Sequence, residues 1–151
     1  MARYVVSVLS PKSQQEAFDY MADLSNFAEW DPGVHGVEQA EGDGPGPGTA
    51  FDVAVRTAGR TITLCYHVTD FDRPDTVVAR AESGMLVSLD KMTIESTASG
   101  TVVTYDAELT LKGAWRAFEP FLGLAFKRIG DKAAEGLIRV LEGERTERPA
   151  G

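Results

Sequence analysis

The sequence is poor in the residues that would declare its chemistry. Cys65 is the only cysteine, which excludes an intramolecular disulfide framework and a multi-cysteine metal site. It points to a reducing compartment, so a cytoplasmic location is expected. Histidine occurs only at His35 and His67. Cys65 and His67 lie two residues apart on one expected strand with no third ligand or orienting group nearby, so neither a metal site nor a Cys/His catalytic pair is expected. No apolar run approaches the roughly 18 residues of a membrane span, and the one at the N-terminus is too short for a secretory signal. Membrane insertion is therefore not expected. Basic residues are outnumbered, with 15 Lys and Arg against 23 Asp and Glu, for a net charge of -8. An acidic surface disfavours nucleic acid as a partner and repels anionic lipid headgroups. No cofactor is expected: the glycines between Gly42 and Gly48 precede neither a helix nor a Lys-Ser/Thr pair, so they cradle no phosphate. They read as a flexible loop beside a cavity mouth.

What is present fits one folded domain of 151 residues with 43% hydrophobic content, large enough to bury about 68 to 70% of its unfolded surface. The expected domain spans residues 1–144, followed by a polar tail, 145–151, that frays. Residues 3–9 are Val-rich and read as a strand. Ser10 before Pro11 reads as a helix start, with the helix running to about Asp23 on an apolar face of Ala17, Phe18, Met21 and Ala22. Residues 24–30 read as a second short helix, ended by Pro32 and Gly33. From Val34 to Leu111 the period becomes 2, the mark of half-buried antiparallel strands. Six runs stand out, near 34–41, 49–57, 61–71, 76–83, 86–97 and 101–112, joined by short turns such as Arg73-Pro74-Asp75 and Ser99-Gly100. The segment from Ala114 to about Glu142 returns to helical period through Trp115, Phe118, Leu122, Phe126, Ile129, Ala133, Leu137 and Leu141. Pro120 either starts the regular helix or kinks it.

A seven-stranded sheet with one apolar face needs a cover, and the C-terminal helix is the only element long enough to provide it. This is an α+β architecture in which a curved antiparallel sheet wraps a long helix, with two short helices after the first strand. In that order, VVSVLSPKSQQEAFDYMADLSNFAEWDPGV, GDGPGPGTAF, YHVTDFDRPDTVVARAESG and GTVVTYDAELTLKG resemble the polyketide cyclase/dehydrase and lipid-transfer superfamily, the START-like, birch-pollen-allergen-like helix-grip proteins. The resemblance covers nearly the whole chain. It implies a cavity between sheet and helix that takes lipids, sterols, flavonoids or polyketides, with catalysis in some members and binding alone in others. A fold shared by so many activities names none of them.

Several residues on the inward faces have polar chemistry. Tyr66 and Tyr105 alternate with polar neighbours on apolar strand faces, so their hydroxyls either serve a ligand or are satisfied inside a core. Asp90 shares an alternating set with Leu86, Ser88, Met92 and Ile94. If that register holds, a carboxyl faces the cavity, its pKa raised by desolvation toward general acid or base use. A bulge after Gly84 or a salt bridge would account for it otherwise. Asp90, Tyr105 and Tyr66 are thus the candidate catalytic set. Trp30, Phe51, Leu64, Ser88, Met92, Trp115, Phe118, Leu122 and Phe126 are the candidate ligand contacts. Trp30 either stacks on a flat ligand or anchors the short helices, and Asp31 reads as a turn or cap residue. The inward set Ile62, Leu64, Tyr66 and Val68 carries no arginine where the aromatase/cyclase members have a cationic pocket residue, which departs from the enzymes of the family. The expected partner is a small hydrophobic molecule, bound by a monomer or a homodimer. The alternatives are a cyclase/dehydratase-like enzyme acting on an enolisable ketone and an interaction module without a ligand.

Overall fold

A computed structural model describes residues 1–57 and 59–148. Strand β1 (Ala2–Ser10) leads into helix α1 (Gln14–Ala22), a 3-10 turn (Leu24–Asn26) and the short helix α2 (Phe27–Trp30). Strands β2 (Val34–Glu41), β3 (Ala50–Thr57), β4 (Arg60–Asp72), β5 (Thr76–Glu82), β6 (Leu86–Thr97) and β7 (Gly100–Leu111) then run as a meander. A 3-10 segment (Gly113–Phe118), the long helix α3 (Glu119–Val140) and a short strand β8 (Glu144–Thr146) complete the chain. The sheet order is β2-β3-β4-β5-β6-β7-β1-β8, and every neighbouring pair is antiparallel. Register shifts within the β2/β3 and β4/β5 pairs add the local bends by which a sheet curves. This is the helix-grip arrangement.

The first helix starts later than the Ser10-Pro11 pair predicts. Ser13 is the N-cap, and its side chain accepts from the Glu16 backbone N–H, while Ser10 Oγ donates to the Leu141 carbonyl at 2.6 Å. Ser10 therefore closes β1 onto the end of α3, and the cap falls to the next serine with a Glu three residues on. Pro120 occupies the first turn of α3, where its missing N–H removes no helical hydrogen bond, so it starts the helix and does not kink it. The segment expected to fray contributes an eighth strand: Glu144, Arg145 and Thr146 pair with Leu9, Val8 and Ser7. Gly143 permits this, since a Cβ there would collide with the Leu9 carbonyl.

Helix α3 lies close because its inward face is made of small residues: Gly130, Ala133, Ala134 and Gly136 are all buried. A Cβ at Gly130 would enter the Tyr4 ring, and one at Gly136 would enter the Trp30 backbone carbonyl. The C-terminal half of α3 thus packs tightly on β1 and α2, with Leu137 and Leu141 fully buried. Its N-terminal half stands further off. There Leu122 and Phe126 are half-buried, while Phe121 is 74% and Leu124 64% exposed.

Candidate functional site

Strand β6 settles where Asp90 points. Leu86, Ser88, Asp90, Met92 and Ile94 are all buried, and β6 pairs without interruption with β5 and with β7. There is no bulge to turn the carboxyl outward. In register, Asp90 lies between Ala79 and Ala107. A methyl group on each side leaves the carboxyl in free space, and its Oδ2 has no hydrogen-bond partner. Ser88 sits one pleat along, opposite Ala81, which is itself opposite Tyr66. The tyrosine reaches across that alanine, and its hydroxyl lies 2.6 Å from Ser88 Oγ. Tyr105 is paired with Met92, diagonal to Asp90, so its hydroxyl acts on that carboxyl.

These groups border a cavity of about 300 Å³ between the sheet and the N-terminal half of α3. Its walls are apolar: Val53 and Val55 from β3, Ile62 and Leu64 from β4, Leu122 and Phe126 from α3, and Phe27 from α2. Its polar lining comprises Asp31, Tyr66, Ser88, Asp90, Tyr105 and, at the surface, Arg56. Arg56 and Ile129 are exposed members of the lining, which places the opening between the end of β3 and the middle of α3. Asp31 caps the C-terminus of α2, as its position before Pro32 predicts. Its Oδ1 accepts from the Gly33 N–H at 2.9 Å, and the same carboxyl also borders the cavity.

Burial dominates the electrostatics. It pushes the Asp90 carboxyl up to about 7; the neighbouring charge of Asp31 adds to this and the hydrogen bond from Tyr105 opposes it. Asp31 is raised by burial as well, against the pull of the Gly33 N–H. Tyr105 is raised by burial and then by Asp90 and Asp31; Tyr66 is raised by burial and by Asp90, with its Ser88 bond opposing. No lysine, arginine or histidine among the described residues forms a salt bridge with Asp31 or Asp90.

The sequence-derived candidates separate into three groups. Tyr66, Ser88, Asp90, Tyr105, Leu64, Leu122 and Phe126 all border the cavity. Phe51 and Met92 are fully buried in the surrounding core, outside the lining. Trp30 is in that core too: it stacks on Phe27 at 4.5 Å and meets Tyr105 edge-on at 5.1 Å, so it anchors α2 and supports the tyrosine from behind. Trp115 and Phe118 lie on the 3-10 segment ahead of α3, 48% and 55% exposed, and do not reach the cavity. Helical spacing placed them on one stripe with Leu122, but the change from 3-10 to α geometry at Glu119 rotates them outward. The Gly42–Gly48 loop is also absent from the lining, held to its own strand by a Gln39 side chain that bonds Gly44 at both ends.

The lining residues absent from the sequence-derived candidates are Tyr4, Phe27, Asp31 and Arg56 among the polar and aromatic ones, and a set of apolar residues such as Val53 and Leu109. The legible signal was the alanines. Ala79, Ala81 and Ala107 occupy inward strand positions where a packed core favours larger side chains, and of these Ala107 borders the cavity. Cys65 and His67 lie on the outer face, with Sγ and Nε2 3.6 Å apart. Among the described residues no group of three or more His, Cys, Asp or Glu is arranged to hold a metal ion, and no helix is long and apolar enough to cross a membrane.

A curved antiparallel sheet gripping a long helix over an apolar pocket with a buried polar floor defines a helix-grip protein. The chain belongs to the polyketide cyclase / dehydrase and lipid transport family, whose profile matches residues 1–142. Members of this family bind hydrophobic ligands or act as polyketide cyclases. Similar solved structures include the Zhui aromatase/cyclase from Streptomyces sp. R1128, with a TM-score of 0.74 at 16% identity over 93% of this chain and 92% of that one. A START superfamily protein from Mycobacterium smegmatis gives 0.72 at 14% identity over 93% and 96%. The KanY protein gives 0.72 at 22% identity over 94% and 98%. No curated protein matches the sequence.

Proposed function

We propose that this chain binds a small, largely apolar molecule with one polar group in the cavity between the sheet and α3. The observation that carries this reading is the Asp90 carboxyl, buried to 2% exposure and unpartnered at Oδ2 in a pocket whose walls are mostly apolar. A buried polar atom without a partner costs roughly 1 to 3 kcal/mol, a cost that a ligand group can remove. The cavity volume of about 300 Å³ lies at the lower end of small-molecule sites, which suits a compact ring system. The test is a thermal-shift and native mass-spectrometry screen of sterols, fatty acids, flavonoids and aromatic polyketides. A hit should raise the Tm of the parent protein and leave that of an Ala107→Phe variant unmoved, because the new ring fills the space beside Asp90. Failure of every class to stabilise the parent protein would remove the reading.

A second reading, acid/base turnover of an enolisable ketone, is favoured by the placing of Asp90 beside the Tyr105 hydroxyl in the cavity wall, where burial pushes its carboxyl up to about 7. A general acid or base works best with a pKa close to ambient pH. In this reading Asp90 moves the α-proton, Tyr105 donates to the carbonyl oxygen, and Tyr66 orders the site through Ser88. Asp90→Asn and Tyr105→Phe should then each slow product formation by about 10² or more. Unchanged product yield in both variants would leave binding alone.

A further inference from the structure

The cavity holds two carboxyl groups and no buried cation to balance them. Asp90 enters from the middle of β6 and Asp31 from the end of α2, elements far apart in sequence that meet at one pocket. Each acts electrostatically on its surroundings there, and Asp31 is the principal charge felt by Asp90. Only one of their oxygens is clearly tied to the backbone, Asp31 Oδ1 by Gly33, while Asp90 Oδ2 is bare. Among the described residues Arg56 is the single basic side chain in the lining; it is exposed at the opening and contributes to the state of neither carboxyl. The aromatic residues Tyr4, Phe27, Tyr66, Tyr105 and Phe126 border the same space, with Phe27 and Tyr66 centroids 6.3 Å apart. Carboxylates remove the desolvation cost of an ammonium group, and ring faces add attraction to it. A neutral ketone would meet one hydrogen-bond donor at most from each protonated carboxyl and would leave the second carboxyl without a complement.

We infer that the cavity is built for a ligand carrying a protonated amine on an aromatic or alicyclic body, with the ammonium between Asp90 and Asp31 and the apolar body against Val53, Leu64, Leu122 and Phe126. This rests on the proposal that the cavity binds a small molecule and names the chemical class.

The test uses four probes of one shape: 2-naphthylmethylamine, 2-naphthylmethanol, 2-naphthylacetate and 2-methylnaphthalene, titrated into the full chain by calorimetry at a pH near 8. The amine should bind at least tenfold more tightly than the alcohol, and the acetate more weakly than either. Asp90→Asn and Asp31→Asn should each reduce the amine's advantage over the alcohol by about tenfold, while 2-methylnaphthalene, which meets only the apolar walls, keeps its affinity and so reports that each variant retains the pocket. Equal affinity for amine and alcohol overturns the inference and leaves the cavity reading standing. Tighter binding of the acetate overturns it in favour of an anion held by Arg56. Failure of all four to bind overturns both.

Discussion

The Tyr66 hydroxyl and Ser88 Oγ lie 2.6 Å apart across the methyl group of Ala81. In this pair each hydroxyl finds a partner, whereas Asp90 Oδ2 has none. Removing either member orphans the other: Tyr66→Phe and Ser88→Ala should each cost about 1 to 2 kcal/mol in urea unfolding. The double variant should cost no more than the worse single one, because nothing is left unpaired. Additive costs would mean that each hydroxyl is already served by solvent in the cavity.

Asp90 makes stability depend on pH in a defined direction. Its carboxyl is raised from 3.8 to about 7 in the folded protein. Between these values the folded state holds a proton that the unfolded state has lost, so stability falls as pH rises through the window and levels off above it. The contribution is fully present below about 3.8 and is gone above about 7. Its size is on the order of a few kcal/mol. Asp90→Asn removes this loss, so the Tm of the variant should gain on that of the parent from about pH 4 to about pH 7 and keep a constant lead above that. A gap independent of pH would show that the carboxyl titrates normally.

Two glycines of α3 should respond in opposite ways to the same substitution. At Gly136 an added methyl group meets the Trp30 carbonyl, and Gly136→Ala should destabilise by about 1 to 3 kcal/mol despite the better helix propensity of alanine. At Gly123 nothing lies within 4 Å, and Gly123→Ala should stabilise by roughly 0.5 to 1 kcal/mol. Chemical denaturation of the two variants checks the close approach of α3 to α2 directly.

Trp115 and Phe118 pack on each other, ring centroids 5.9 Å apart, and otherwise face outward. Trp115→Ser and Phe118→Ser should therefore change stability by no more than about 0.5 kcal/mol and leave probe affinity in the cavity unchanged. A large loss of affinity in either variant would show that the 3-10 segment closes over bound ligand.

The helix-grip order of elements was legible in the sequence because each element follows from local periodicity: period 2 from Val34 to Leu111, helical period after Ala114, and Gly- or Pro-bearing turns between. The inward set on β6 was legible for the same reason, since a side-chain alternation of 2 assigns Ser88 and Asp90 to one face once Leu86 and Ile94 are inside. The roles of Trp30, Trp115 and Phe118 were not, because periodicity reports which face of an element is apolar and not what that face touches. Trp30 faces inward yet fills core, and the two aromatics ahead of Glu119 leave the helical stripe when the backbone changes from 3-10 to α.

By itself the sequence determined an antiparallel sheet with one long covering helix, and it left the facing of the Asp90 carboxyl to the register of β6, which only the structure decided. Tertiary structure decided that this face encloses a cavity and that Asp31 joins Asp90 there. The reason lies in distance between layers. Gly130, Ala133 and Gly136 draw the C-terminal half of α3 onto β1 and α2, the larger Leu122 and Phe126 stand over the cavity from the N-terminal half, and Ala107 leaves space beneath them. No single one of these residues encodes a hole; their opposition across the sheet creates it.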